Sequence, residues 1–275
     1  MNVTESRFKN RQLHMEDYLQ MVSAEQKEYA EVFDYSKIAE KSGVITDYWT
    51  NNLLDLILRK DNLNEAYKQV KKNKGKGGID GMQVDELLPF LREKQESLIQ
   101  VIKEGKYKPN PVRRVEIPKE TKGEFRKLGV PTVVDRVIQQ AIAQELTAIF
   151  EKQFSENSFG FRPKRGVHDV LRQCQKNVND GYAYVVDMDL EKFFDTVCQS
   201  KLIEVLSRTI KDGRVISLIH KYLNAGVIAN GMFERTEIGM PQGGPLSPLL
   251  SNIILNELDK ELERRGHRFV RHADD

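Results

Sequence analysis

The chain of 275 residues contains 39% hydrophobic and 31% charged residues, and its formal net charge is +2. These proportions are typical of a soluble globular protein, and they exclude a disordered chain or a bundle of membrane-spanning helices. The longest apolar run near the end, residues 246–255, is too short to cross a bilayer. The N-terminus lacks the apolar core of a signal peptide, so we expect a cytoplasmic protein without membrane contact.

Basic residues are unevenly distributed along the chain. A run of lysines lies between Lys68 and Lys76, and further arginines and lysines are concentrated in the middle third, from Arg113 to Arg172. Blocks of this kind attract the phosphate backbone of nucleic acids. For the first run, a solvated lysine-rich surface is an equally good explanation.

The first part of the chain predicts helices followed by one β-hairpin. Apolar residues recur with helical spacing up to residue 103, whereas the alternation from Val112 to Ile117 is typical of a strand. The predicted elements, in chain order, are a loose or helical extension over 1–46, helices from Asp47 to Leu58 and from Asp61 to Lys72, a glycine-rich loop over 75–81, a helix over 84–103, and a hairpin with arms at 112–117 and 125–130.

The second part predicts more helices and two short strands. Thr132 is a typical residue for the start of a helix, and Gly266 is a typical residue just after the end of one. The predicted elements, in chain order, are a helix from Thr132 to Phe150, a polar loop over 155–165, a helix over 167–178, a strand over 182–188, helices over 201–209 and 214–223, a Gly/Pro loop over 240–248, a helix over 249–264, and a strand over 268–272.

Two pairs of aspartates stand at the ends of the predicted strands. Asp187 and Asp189 share one face of the first strand, because side chains alternate with a period of two, and Asp274 and Asp275 follow the second. On adjacent strands these carboxylates would repel one another, and oxygen ligands of this kind suit Mg²⁺. Two metal ions about 4 Å apart would activate a 3′-hydroxyl and hold the leaving pyrophosphate. Either pair alone is more typical of a turn or cap; together, in this order, they predict two-metal nucleotidyl transfer.

The sequence resembles the fingers and palm of group II intron reverse transcriptases, the intron-encoded maturases. The resemblance extends from about Thr46 to Asp275, and its evidence is the ordered set of blocks GGIDG, RRVEIPK, LGVPTVVDRVIQQAI, FSENSFGFRP, VVDMDLEKFFDTV, MPQGGPLSPLLSNIILNELDKEL and RFVRHADD. It implies an α+β fold with a small antiparallel palm sheet packed with helices and without a thumb. The implied divisions are an N-terminal extension at 1–46, fingers with part of the palm at 47–181, and an incomplete palm at 182–275.

The resemblance also implies which residues are catalytic. Asp189, Asp274 and Asp275 match the aspartates that bind two Mg²⁺ ions in the family. Asp189 takes the first position because it precedes the aromatic Phe194 by five residues. Asp187 is the other candidate for this role. The alternative interpretation of Asp187 is that it is a structural acid.

Two further positions resemble residues near the incoming nucleotide. Phe194 matches the ring that rejects a ribose 2′-hydroxyl, and the alternative is a core aromatic residue beside Phe193. Gln242, in a Pro-Gln-Gly sequence, matches the glutamine near the nucleotide, and a structural turn is the competing explanation.

Four basic residues match positions that contact phosphates. Lys119 and Arg126 resemble the fingers residues that grip the triphosphate, since an arginine fork and a lysine point charge both suit phosphate oxygens. A solvated hairpin rim is the alternative for either residue. Arg162 and Arg165 are predicted to touch the template backbone.

The sequence differs from the family pattern at a few positions without losing a predicted metal ligand. His272 replaces the usual Tyr or Phe before Ala-Asp-Asp, Cys198-Gln199 replaces Asn-His, and Lys127 stands where proline is common. Family members also continue beyond the paired aspartates, so we expect the chain as given to be an incomplete, inactive fragment.

We therefore expect the parent protein to be the RNA-directed DNA polymerase of a group II intron, with a maturase role in splicing. Its expected partners are an intron RNA template, a DNA primer or target, and dNTPs. Two alternatives remain open: a non-catalytic RNA-binding maturase remnant, and a retron-type or other bacterial reverse transcriptase.

Overall fold

The computed structural model describes residues 51–118 and 125–275, in which helices predominate and one small sheet forms. None of the helices in these two ranges is long and apolar enough to cross a membrane. The helices are α1 (Leu53–Ile57), α2 (Lys60–Lys72), α3 (Leu87–Lys103), α4 (Val133–Phe150), α5 (Val167–Asn179), α6 (Phe193–Thr196), α7 (Gln199–Thr209), α8 (Gly213–Leu223) and α9 (Ser247–Arg264), with single 3₁₀ turns at Val84–Glu86 and Glu151–Gln153. The strands are β1 (Val112–Pro118), β2 (Phe125–Val130), β3 (Val227–Ala229) and β4 (Met232–Glu234).

Helix α4 is the centre of the core. It begins where Thr132 accepts a hydrogen bond from the backbone N–H of Asp135, at 3.2 Å, which satisfies one of the free donors at a helix start. Nearly all of its residues are buried, as expected for a helix surrounded by other elements. Polar contacts also join it to its neighbours: Asn62 of α2 donates to the carbonyl of Ala141 at 3.0 Å. One continuous apolar cluster joins α4 to the helices on both sides of it in sequence.

The sheet has the strand order β2–β1–β3–β4. The hairpin pairs β1 with β2 in antiparallel register from Arg113 opposite Val130 to Pro118 opposite Phe125. Strand β3 pairs with β1 in parallel, and β4 returns antiparallel to β3. The α+β class, with a small sheet packed against helices, is therefore confirmed, although one of the pairings is parallel.

Most predicted elements are confirmed, but both short strands near the aspartates are wrong. Residues 182–190 form neither helix nor strand, and residues 268–272 contribute only a single bridge, between Arg271 and Ser158. A strand persists only where a neighbour satisfies its backbone groups, and in the described ranges the strands of the sheet pair only with one another. Strands β3 and β4 were not predicted, and Asp47 lies outside the described residues.

Candidate active site

A tight turn presents the paired aspartates. The backbone N–H of His272 donates to the main-chain oxygen of Asp275 at 2.8 Å, and the N–H of Asp275 donates to the carbonyl of His272 at 3.2 Å. Ala273, between them, has a φ of 61°, a left-handed conformation that costs a residue with a Cβ about 1 kcal/mol or more. Asp274 is half-buried and Asp275 is exposed, so the turn holds two carboxylates at the protein surface.

The turn is anchored to the loop that follows α4. The N–H of Arg271 donates to Asn157 at 2.9 Å, and the N–H of Phe159 donates to Arg271 at 3.0 Å. Gly160 lies so close that a Cβ there would stand 2.2 Å from the backbone nitrogen of Ala273. The absence of a side chain at residue 160 therefore allows the two backbone segments to touch.

The other predicted aspartates lie on an exposed segment. Asp187 and Asp189 belong to the irregular stretch before α6, all of it exposed. Its apolar side chains are exposed as well, with Val185 at 81% and Val186 at 80%. This segment ends at Lys192, whose left-handed φ of 51° reverses the chain into α6. The structure thus places Asp189 in a different setting from Asp274 and Asp275.

The arrangement of these acids bears on metal binding. Carboxylate oxygens are the ligands that Mg²⁺ prefers. Within residues 51–118 and 125–275, however, no three acidic, histidine or cysteine side chains come together as a metal-binding group. The donor chemistry therefore suits the ion, but the observed arrangement of Asp189, Asp274 and Asp275 does not assemble a site for it.

Phe194 is buried in the hydrophobic cluster. Its ring packs edge to face on Phe193, with the ring centroids 5.5 Å apart, and only 9% of the residue is exposed. The carbonyl of Phe194 accepts from the N–H of Met240 at 2.7 Å. Gln199, at the first position of α7, donates its side-chain N–H to the carbonyl of Gly239 at 2.9 Å. These bonds fix the start of the Gly/Pro loop beside α6.

Gln242 lies where that loop meets the hairpin. Its carbonyl accepts from the N–H of Gly129 in β2 at 2.6 Å. Gly243 has a φ of 110°, and a Cβ there would stand 2.7 Å from the carbonyl oxygen of Gly129. The loop is therefore joined to the base of the strand that carries Arg126, which is itself half-buried. Lys119 lies outside the described residues.

The two arginines predicted to touch the template are bonded to groups of the protein itself. Arg162 is 4% exposed; it pairs with Glu151 at 2.7 Å and donates to the carbonyl of Ser158 at 2.8 Å. Arg165 pairs with Glu156 and lies over the ring of Phe159, 5.5 Å from its centroid. In this conformation both side chains support the loop behind the paired aspartates, and their contact with nucleic acid stays a prediction.

Sequence reasoning missed the residues that hold the turn. Arg271 and Asp259 form a buried ion pair, 2.7 Å long, directly behind it, and Gly160 lies against its backbone. The sequence offered a signal for both residues: Asp259 lies among the apolar residues of α9, and Arg271 lies shortly before the paired aspartates. Buried charges are rarely tolerated unless paired, so each predicts an opposite charge nearby.

The lysines of the basic run are on the surface. Lys68, Lys71, Lys72, Lys74 and Lys76 are all exposed. Only Lys68 has an acidic partner among the described residues, Glu65 at 3.6 Å. The run therefore adds a positive surface beside the glycine-rich loop.

Comparisons with known proteins identify the family of the chain. Residues 117–275 match the family described as reverse transcriptase (RNA-dependent DNA polymerase). The group II intron-encoded protein LtrA of Lactococcus lactis subsp. cremoris is 37% identical over 237 residues, which cover 86% of this chain and 39% of LtrA. Protein YkfC of Escherichia coli (strain K12) is 38% identical over 219 residues, covering 78% of this chain and 57% of YkfC.

Solved structures add a neighbour of the same fold. A chain of a partial Cas6-RT-Cas1–Cas2 complex superposes with a TM-score of 0.52 and 26% identity, covering 81% of this chain and 37% of that one. The present chain spans about two fifths of the length of LtrA. The matched region includes the hairpin strand β2, the Gly/Pro loop and the aspartate turn. The chain therefore belongs to the reverse transcriptase family, and group II intron-encoded proteins are among its relatives.

Proposed function

We propose that the protein containing this chain is the RNA-directed DNA polymerase of a group II intron and assists splicing as a maturase. The observation that carries the proposal is the family match over residues 117–275, which ends at the turn presenting Asp274 and Asp275. Intron-encoded relatives at 37% and 35% identity favour an intron RNA as the template and partner. A DNA primer or target and dNTPs complete the proposed set of ligands.

Within this proposal, the chain divides into an extension at 1–46, fingers at 47–181 and palm at 182–275. Gln242, Phe194, Arg126 and Lys119 are the proposed nucleotide-binding residues. The bond between Gly129 and Gln242 supports this grouping, because it joins the hairpin to the Gly/Pro loop. Arg162 and Arg165 would contact RNA only after release from their present carboxylate partners.

Reverse transcriptases depend on metal ions. We propose Mg²⁺, with two ions bound, as the metal here and Asp189, Asp274 and Asp275 as its ligands. Because the observed arrangement does not bring these residues together, the proposal requires the exposed segment 182–190 to change conformation when nucleic acid and nucleotide bind. The backbone of the turn that carries Asp274 and Asp275 is held by hydrogen bonds.

Replacement of Asp189 by alanine in the full-length protein tests the assignment. Asp189→Ala should lower DNA synthesis on a poly(rA) template with an oligo(dT) primer by about a hundredfold or more, since a misplacement of only 1 Å can cost that much. RNA binding, measured by filter binding, should be unchanged, because the exposed lysine run is intact.

Two further variants make this test specific. Asp180→Ala removes an exposed carboxylate directly after α5 and should extend primers normally. Asp187→Ala separates the rival residues: if it stops synthesis while Asp189→Ala does not, Asp187 takes the first catalytic position. Normal extension by both variants would contradict the proposed site.

An RNA-binding maturase without synthesis is the second candidate, and the exposed lysine run favours it. Such a protein would bind intron RNA with an affinity that falls steeply with salt, because each neutralised phosphate releases a counterion. Absence of primer extension by the full-length wild-type protein, together with salt-dependent RNA binding, would establish it. A catalytic intron flanking the gene distinguishes both candidates from a retron-type enzyme.

A further inference from the structure

The guanidinium of Arg271 uses every donor it has. Its Nε donates to Asp259 Oδ1 at 2.8 Å, and its Nη2 donates to Asp259 Oδ2 at 2.7 Å. The same Nη2 donates its second hydrogen to the hydroxyl of Ser158 at 2.7 Å. Nη1 donates to the side-chain carbonyl of Asn252 at 2.9 Å and to the backbone carbonyl of Ala273 at 2.6 Å. All five N–H groups of an arginine are therefore satisfied.

These partners come from three separate parts of the chain. Asp259 and Asn252 belong to α9, Ser158 to the loop after α4, and Ala273 to the aspartate turn. The network is deeply buried, since the Arg271 side chain is 6% exposed and that of Asp259 is 0% exposed. A low dielectric strengthens such bonds and makes an unmade one costly, so the three parts are held in one relative position.

The contact with Ala273 has a direct consequence for the carboxylates. Ala273 is the residue with the strained positive φ, and its carbonyl sits immediately before Asp274. A donor on that carbonyl fixes the peptide plane that joins the two residues, because the peptide bond is planar. The direction in which the chain leaves toward Asp274 and Asp275 thus depends on the guanidinium.

An ion pair that merely stabilised α9 would not need this geometry. A lysine at position 271 could neutralise Asp259, but its ammonium is a point charge with three donors, whereas the arginine fork reaches several fixed acceptors at once. The bonds to Ser158 and to the Ala273 carbonyl lie beyond what charge neutralisation requires.

We propose that Arg271 is a positioning residue of the polymerase site, which acts through the Ala273 carbonyl to hold Asp274 and Asp275 in their reactive orientation. The part of this inference that concerns DNA synthesis rests on the proposed function. The part that concerns the geometry of the turn does not.

The conservative variant Arg271→Lys tests it in the full-length protein. Because the charge opposite Asp259 is kept, we expect RNA binding and the KM for dTTP to stay near the wild-type values. The kcat on poly(rA)/oligo(dT) should fall by about tenfold or more, because positional errors at reacting groups act mainly on the chemical step. Hydrogen exchange should accelerate in peptides that contain residues 271–275 and 155–160, while α4 stays protected.

Two variants keep the result interpretable. Arg214→Lys alters another arginine paired with a buried carboxylate, Asp212 at 2.8 Å, and should leave kcat and the exchange at 271–275 unchanged. Ser158→Ala keeps the ion pair with Asp259 and removes one anchor of the fork, so it should reproduce the Arg271→Lys pattern in weaker form, even if Arg271→Lys folds poorly.

The possible outcomes distinguish the proposed polymerase function from the positioning role of Arg271. If the wild-type protein makes no DNA, the proposed function fails, and the exchange experiment still decides the role of Arg271. If Arg271→Lys and Ser158→Ala leave both kcat and exchange at the turn unchanged, the positioning role is overturned. A uniform rise in exchange across α4 and α9, with kcat falling only in proportion to folded protein, would also overturn it.

Discussion

The two aspartate-bearing regions differ in what holds them. The turn at 271–275 has its backbone bonded to the loop after α4 and the Arg271 network behind it. The segment 182–190 has exposed side chains throughout and no helix or strand. Both regions carry carboxylates that the sequence analysis assigned to one site, yet only one of them is fixed by side chains and backbone from elsewhere in the chain.

This difference indicates two ways in which a fold can place an acidic side chain. The turn is preorganised by buried polar contacts between residues far apart in sequence, and such contacts persist without a ligand. The segment carries alternating and β-branched residues suited to a strand, but strand formation depends on a pairing neighbour. Stability should therefore respond strongly to changes behind the turn and hardly at all to changes in the segment.

The largest effect is expected from Asp259→Ala. Removing this carboxylate leaves the buried Arg271 charge without its partner, which typically costs about 3–5 kcal/mol of unfolding free energy. Urea unfolding followed by circular dichroism measures the loss.

The matched control for this change is Glu204→Ala, which breaks an exposed ion pair with Arg208 on α7. Its unfolding midpoint should stay at the wild-type value, because exposed pairs contribute little. Exposed ion pairs contribute at most about 1 kcal/mol. If Asp259→Ala lowered the unfolding free energy by less than this, the turn would not be held by a buried network.

A smaller effect is expected from Gly160→Ala. The added methyl would stand 2.2 Å from the nitrogen and 2.9 Å from the Cα of Ala273, and neither backbone atom can rotate away. Overpacking of this kind costs about 1–3 kcal/mol. Thermal and urea unfolding should both register it, and primer extension should decline because the turn is displaced.

Gly213→Ala serves as the control for the added methyl group. Gly213 begins α8, and nothing lies within 4 Å of the position its Cβ would take. Alanine is also the better helix former, so this variant should be as stable as the wild type. Equal stability of Gly160→Ala would mean that the loop and the turn are farther apart in solution.

Much of the fold was predictable because it depends on local patterns. The helical spacing that predicted a helix over 84–103 reappears as a 3₁₀ turn followed by α3, and the cap at Thr132 is where expected. The alternation at 112–117 predicted β1 because the second arm of the hairpin follows closely in sequence. Strands β3 and β4 have three residues each, too short for a period to be recognised.

The site was less predictable because its geometry comes from distant contacts. Asp274 and Asp275 were predicted from the motif, but residues 268–272, predicted as a strand, contribute only a single bridge and lead into a turn held by Arg271. Apart from Ala273, the side-chain partners of Arg271 lie 12 to 113 residues away in sequence. The strand prediction for 182–188 was wrong because, among the described residues, a distant contact is absent there. Its pattern is suited to pairing, and no described strand pairs with it.

The smallest effect is expected in the segment itself, and it tests the comparison most directly. Val185 is 81% exposed, so Val185→Ala should change the unfolding free energy by no more than about 0.5 kcal/mol. The same substitution at Val137 of α4, which is 4% exposed, removes two buried carbon atoms and should cost about 2 kcal/mol. Urea unfolding of both variants gives the comparison. If Val185→Ala cost as much as Val137→Ala, the segment would be packed against the protein in solution, and its aspartates would be as firmly placed as those of the turn.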